Sequence, residues 1–243
     1  MLRSANRLSA REKSLPKSIN FLELIGGGKV PEVIVGTWIV MGILIVVGIM
    51  ARGALARATD PLIPDEGFTL RHACEVLVEW FDGFTASAME VHGYRAMVPF
   101  FGSLFMFILF ANFFGLIPGM EPPTGNSDLT FALGTVSFAY YIYQGFRSQG
   151  VFYLRSFLGP VLFLAPLMLP IELADNLFRP FSLGIRLYAN MFADHTVLSI
   201  FTGLTKLIVP LAFYALGSIV CIIQAIIFAV LSMSYVRLAA SHH

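Results

Sequence analysis

The sequence predicts an all-α, polytopic membrane protein with about five membrane-embedded helices and one amphipathic surface helix. Three observations predict it. Hydrophobic residues make up 57% of the chain and charged residues only 13%, where a soluble domain carries about 25%. Several uncharged runs are long enough to cross the roughly 30 Å of bilayer hydrocarbon at 1.5 Å per residue. Between them lies a stretch in which apolar and charged residues alternate at helical spacing. The 243 residues read as a single membrane domain.

The first segment, residues 1–30, is basic: Arg3, Arg7, Arg11, Lys13 and Lys17 stand among serines. It faintly resembles an organelle transit peptide but reads as an ordinary basic N-terminal segment. Residues 33–51 form the first uncharged span. Arg52 and Arg57 follow it and mark a cytoplasmic end by the positive-inside rule, although the basic N-terminus pulls the other way. Residues 60–95 form the amphipathic region, with Leu70, Ala73, Cys74, Leu77, Val78 and Phe81 spaced by threes and fours. His72 and His92 are expected to face solvent or headgroups. Residues 97–119 make a second span with Asn112 as its one amide. "MEPPTGNSD" is a turn-rich loop. Residues 129–146 make a third span, ending in Tyr140, Tyr141 and Tyr143 at interfacial depth. Arg147 and Arg155 come two spans after Arg52 and Arg57, so they fall on the same side.

Residues 157–236 read as a long helical hairpin turning at "TGLTK". Its second arm, 207–236, has no charge and exceeds the roughly 20 residues of an upright span, so strong tilt is expected. Cys74 and Cys221 read as small buried thiols rather than a disulfide or metal site. Among the features missing from the sequence are internal repeats, phosphate-binding glycine loops and metal-ligand spacings. A net charge of +1 gives no reason to expect nucleic acid.

The first arm carries charge at membrane depth, in "FRPFSLGIRLYANMFADH". At about 100° per residue, Glu172, Asp175, Arg179, Ser182 and Asn190 fall within about 40° of Arg186. Asp194 lies at the edge of this stripe and His195 on the opposite face. Such a stripe must meet protein or water, not lipid. Arg179 has acids one and two turns away and fits either an internal ion pair or a functional role. Arg186 has only Ser182 and Asn190 at i±4. A guanidinium stays charged when desolvated, so Arg186 calls for a carboxylate from elsewhere.

These residues carry a resemblance. "RPFSLGIRLYANMFADH", followed by "IIQAIIFAVLSMSY", resembles the subunit a family of F-type ATP synthases. "FANFFGLIPG", "APLMLPIEL" and "NFLELI" extend the resemblance to nearly the whole chain. The family implies a membrane stator beside a rotating c-subunit ring, with the two long helices tilted along that ring. It implies peripheral-stalk b subunits and the rest of the synthase as further partners, a lipid bilayer as surroundings, no cofactor and no metal. The chain itself would be non-catalytic, ATP being made in a separate soluble sector. Arg186 matches the family's essential arginine, which faces the ring carboxylates and blocks ion short-circuit between two aqueous half-channels.

Asn190, Ser182, Glu172 and Gln224 match positions near that interface or the channels, and Tyr235 shares a face with Gln224. Gln224 is equally readable as a helix–helix hydrogen bonder, and Asn112 as either structural or entry-side. The family often pairs an ionisable residue nine places after the arginine with one seven places before the glutamine. Those positions are His195 and Gly217, and Asp194 adds a carboxylate beside His195. The acid has then moved from one helix to the other, with Gly217 making room. Asp194, His195 and Glu172 are expected to line the entry half-channel, His195 being otherwise a packing residue. Protons are the expected ion. A bacterial inner membrane is the expected location, ahead of the mitochondrial inner or thylakoid membrane. A substrate transporter with an intramembrane anion site is the alternative, but it predicts repeated broken helices that are not visible. A purely structural scaffold leaves Arg186 unexplained.

Overall fold

The computed structural model describes residues 32–56, 70–89, 93–117, 120–150, 165–204 and 208–241. Among these the regular structure is entirely helical: α1 (Glu32–Ala56), α2 (Leu70–Met89), α3 (Val98–Phe114), α4 (Ser127–Gln149), α5 (Ala165–Leu204) and α6 (Ile208–Ser241). Short 3-10 turns at Tyr94–Ala96 and Pro123–Gly125 precede α3 and α4. The basic N-terminal segment, Arg57, His92, Arg155 and the first part of the expected hairpin lie outside the described residues.

The spans follow from composition. Val33–Gly53 and Pro210–Ala239 are long and apolar enough to cross a membrane, and Val98–Phe114 is apolar but shorter. α4 is diluted by Ser, Thr and Gln, and α5 by its polar stripe. α5 has 40 residues and α6 has 34, lengths of about 60 and 51 Å. Both exceed the hydrocarbon thickness. α5 ends at Leu204 and α6 begins at Ile208, so the expected "TGLTK" turn falls on the last residues of α5 and on residues outside those described.

α6 is the central element, packed against α2, α3, α4 and α5. Its buried line is Gly217, Cys221, Ala225, Phe228, Ala229, Ser232, Met233 and Val236. Small residues in that line let neighbouring backbones come close, which is how helices gain contact where lipid removes the hydrophobic driving force. Ser137 of α4 donates to Ser232 at 2.8 Å across this packing. α1 is peripheral: Val35 and Val40 pack against Ala111 and Phe114, while Trp38 and Ile49 are exposed.

α2 differs from its expected pattern. Its buried line is Phe81, Thr85 and Met89, while Val78 is exposed and Arg71 is buried and paired with Glu75 at 2.7 Å. His72 is half-buried with Nδ1 shut off from solvent, not freely headgroup-facing. The apolar repeat located the helix, and its Phe81 stands on the line that packs, with Thr85 and Met89. Cys74 and Cys221 are both free thiols.

α4 and α5 meet backbone to backbone. A Cβ on Gly134 would stand 2.5 Å from the Pro180 carbonyl oxygen, and one on Gly184 would stand 2.7 Å from a ring carbon of Phe131. Pro180 lacks an N–H and so leaves the Asn176 carbonyl without its helical partner. The contact at Gly134 cannot relax by a rotamer change, because the atom it meets is main chain. Gly134→Ala should therefore destabilise the α4–α5 pair by about 1–3 kcal/mol. It would be read as a lower temperature at which the assembled complex loses this subunit.

Candidate functional site

Two polar clusters lie on α5, one on each side of Arg186. The first is built around Arg179, which is 9% exposed. Its Nη2 pairs with Asp175 at 2.6 Å, and its Nη1 donates to the Tyr141 hydroxyl at 3.1 Å. The guanidinium also lies over the Tyr141 and Tyr235 rings, 5.4 and 5.3 Å from their centroids. The Tyr141 hydroxyl in turn donates to Asn176 Oδ1 at 2.8 Å, and Asn176 Nδ2 donates to the Glu172 carbonyl at 2.9 Å. Every polar atom named here has a partner on α4 or α5, which is what burying a guanidinium requires. Asp175 itself stays exposed, at 60% of its side-chain area.

Removing the Tyr141 hydroxyl with Tyr141→Phe leaves Arg179 and Asn176 each short of one bond. A loss of about 1–3 kcal/mol is expected, seen as earlier thermal unfolding with the ring stacking retained.

The second cluster joins α5 to α6 near the α3–α4 loop. A Cβ on Gly217 would stand 2.8 Å from Asp194 Oδ2 and 3.1 Å from Leu116 Cδ2. The Asp194 carboxylate therefore occupies the space that a side chain at 217 would need. Asn112 is buried beside this site. Its Nδ2 donates to the Cys221 carbonyl at 3.4 Å, and its Oδ1 accepts from Thr124 at 2.7 Å. Of the two readings left open for Asn112, these bonds match the structural one: it ties the loop and α6 to α3. His195 points the other way along α5, into a cavity of about 180 Å³ shared with Glu121 and Asn126 of the loop.

Arg186 lies between the clusters and is exposed, as are its neighbours Ile185 and Ala189. Among the described residues no ion pair engages it. The single stripe expected from the helical wheel is therefore divided. Arg179 and Arg186 point within about 20° of each other on a wheel, yet one is buried and the other is not. Burial depends on what stands opposite at each height. Tyr141 and Tyr235 cover Arg179, while nothing described in this chain covers Arg186.

A second correction concerns Glu172. It does not stand with Asp194 and His195. Twenty-two residues of one continuous helix separate Glu172 from Asp194, about 33 Å of rise, and Glu172 sits one turn from Asn176 in the Arg179 cluster.

The antiparallel register of α5 and α6 is fixed by two contacts, Asp194 with Gly217 and Arg179 with Tyr235. That register brings Gln224 level with the turn holding Leu187 and Asn190, one helical step from Arg186. Ser182, Asn190 and Gln224 are all half-buried. Tyr141, Asn176 and Glu121 were missed by sequence reasoning. From sequence Tyr141 reads only as an interfacial aromatic, and Asn176 stands at the edge of the stripe, about 80° from Arg186. An amide one residue after Asp175 and a tyrosine within a span were the available signals.

The chain as a whole resembles known sequences. Residues 34–237 match the family model described as ATP synthase A chain. ATP synthase subunit a of Bdellovibrio bacteriovorus is 45% identical over 197 residues, covering 81% of this chain and 86% of that protein. The chain belongs to the ATP synthase A chain family. Within the family, the subunit a of Solibacter usitatus is 40% identical over 206 residues, covering 84% of this chain and 87% of that protein. That of Sorangium cellulosum is 36% identical over 208 residues, covering 84% and 82%. The family match begins with α1 and ends within α6, so it takes in both polar clusters and the arginine between them.

Proposed function

We propose that this chain is the ion-translocating stator subunit of a rotary F-type ATP synthase in a bacterial inner membrane, with protons as the ion. Family membership places it with the ATP synthase complex. The observation that carries the mechanism is the position of Arg186: exposed, permanently charged, at membrane depth, and midway between two polar clusters. An arginine at the centre of a spanning helix costs about 2.5–3.5 kcal/mol on insertion scales. That cost is offset only if a partner covers the face. Ala189 and Ala193 beside it are small and exposed, which leaves room for another helix to approach. A ring of c subunits, each bringing a carboxylate, satisfies both the charge and the close approach.

In this mechanism a loaded, neutral carboxylate travels through lipid and an ionised one meets Arg186. Asp194 and His195 form the inner part of one half-path, and Glu172 and Asp175 stand on the other, beyond Arg179. Asn190 and Gln224, level with each other, border the Arg186 site on the first side, and Ser182 borders it on the second. Because the half-paths are separated along α5, an ion passes between them only by riding the ring. The chain would catalyse no bond chemistry. The b subunits of the peripheral stalk would hold it against rotation.

Arg186→Ala in vesicles carrying the whole complex tests the reading. ATP-driven acidification should disappear, and survival of coupled pumping would overturn it. The anion-transporter alternative predicts instead that pumping survives and that flux of a small anion is lost.

A further inference from the structure

The loop between α3 and α4 has no role in the mechanism so far, yet it is held firmly over α5. Pro122 packs against Gly115 at the end of α3. Gly125 N–H donates to the Pro122 carbonyl at 2.9 Å, and Asn126 Oδ1 caps α4 by accepting from Asp128 N–H at 2.8 Å. Thr124 is buried and bonded to Asn112. These contacts fix the start and end of a loop whose first carboxylate, Glu121, is exposed. Among the described residues no ion pair engages Glu121.

The loop and α5 border a cavity of about 180 Å³, lined by Glu121, Pro122 and Asn126 of the loop and by Phe192, His195 and Thr196 of α5. A water occupies about 30 Å³ of liquid, so the space holds several, and its polar groups give them partners. Val33, at the start of α1, also borders the cavity. Arg52 is nineteen residues farther along α1, and Arg147 is at the far end of α4. The cavity therefore lies at the opposite end of the helices from these arginines. His195 is among its lining residues, and the next residue, Asp194, is the carboxylate against Gly217.

We propose that this cavity is the aqueous vestibule of the entry half-path, and that Glu121 is its collecting carboxylate, delivering protons through water to His195. The inference rests on the ion-translocating reading above and deepens it. Glu121 gives up a proton to cavity water and takes another from the bulk, so nothing is consumed. A fixed negative charge at the mouth of a low-dielectric recess also raises the local cation concentration, by about tenfold or more at low ionic strength. His195 then accepts a proton on one ring nitrogen as it releases one from the other.

The test is passive proton flux through the membrane sector of the whole complex, stripped of its soluble sector in vesicles and driven by a potassium diffusion potential. Glu121→Gln should lower flux about tenfold at low salt, and Glu121→Asp should restore most of it. The deficit should shrink at about 1 M salt, where the screening length falls to about 3 Å. Unchanged flux in Glu121→Gln at matched subunit content would overturn the proposal. So would a deficit of equal size at every salt concentration and in Glu121→Asp, which would mark a structural defect in the loop. Arg186→Ala in parallel separates the two readings. If it abolishes coupling while Glu121→Gln conducts normally, only the vestibule falls. If it leaves coupling intact, the underlying function falls.

Discussion

Arg186→Lys is expected to abolish proton-driven ATP synthesis almost as completely as Arg186→Ala, although it keeps a basic side chain. The argument is about the state of the charge. The mechanism requires that the cation never neutralise while a carboxylate is absent. Lysine shifts its pKa readily when desolvated, whereas a guanidinium does not. A lysine at this height would be free to lose its proton between carboxylates and would then pass that proton on. The planar guanidinium also offers several donors to a carboxylate that moves across it. An ionised carboxylate left without a partner at membrane depth costs about 2.5–3.5 kcal/mol, which is a rate loss of about a hundredfold or more. Synthesis by Arg186→Lys and Arg186→Ala complexes in energised vesicles should fall to about one per cent or below. The fold should survive both changes, because Arg186 is exposed. Such surface substitutions typically move stability by about 0.5 kcal/mol or less. Wild-type synthesis rates in Arg186→Lys would refute the requirement for a permanent charge.

The second large effect concerns Asp194 and His195. Replacing both with leucine should reduce proton-driven synthesis about a hundredfold or more, the usual worth of a positioned proton-transfer group. Each residue is in a place that makes this specific. Asp194 fills the space over Gly217, and His195 borders the cavity of about 180 Å³ beneath the α3–α4 loop. On the proposed path, a proton crossing from cavity to helix pair would have these two side chains as its stepping points. The matched control is Asp194→Asn with His195→Gln, which keeps volume and hydrogen bonding but not titration. It should be nearly as defective as the leucine pair while assembling normally. Unchanged synthesis in both pairs would remove these residues from the path.

The sequence made the helical, apolar character of the chain and the arginine without a local acid legible, because each follows from a single helix taken alone. Long uncharged runs located α1, α3 and α6, and the absence of an acid at i±4 singled out Arg186. The compensating pair was legible as well, as a missing acid at Gly217 and an extra one at Asp194. The contacts between helices were not. The wheel put Arg179 and Arg186 on one stripe, but only the packed tyrosines on α4 and α6 decide which is buried. Glu172 was grouped with Asp194 by chemistry, when helix length alone sets them about 33 Å apart. Glu121 read as a loop residue, since nothing local shows that the loop folds back over His195. In α2 the apolar repeat was real and its Phe81 is packed, but nothing local showed that Arg71 would be buried beside Glu75. For Arg179, Glu121 and Arg71 the missing information was the identity of the neighbour at a given height; for Glu172 the rise along one helix was enough.

The seam at Gly134, Gly184 and Pro180 has a mechanical consequence. At Gly134 the helices touch through main-chain atoms, and at Gly184 through a packed phenyl ring, so no flexible side chain is left to act as a spring. Protein interiors of this density compress very little, so the seam behaves as a rib and not as a hinge. A rotor passing along α5 would apply a sideways load each time a carboxylate is drawn to Arg186. With α5 braced on α4 just one and a half turns away, that load would be transmitted to the whole helical body instead of bending the helix locally. The compliance that lets a stepping motor run smoothly would then have to lie outside this subunit, in the elements that twist or flex as it turns.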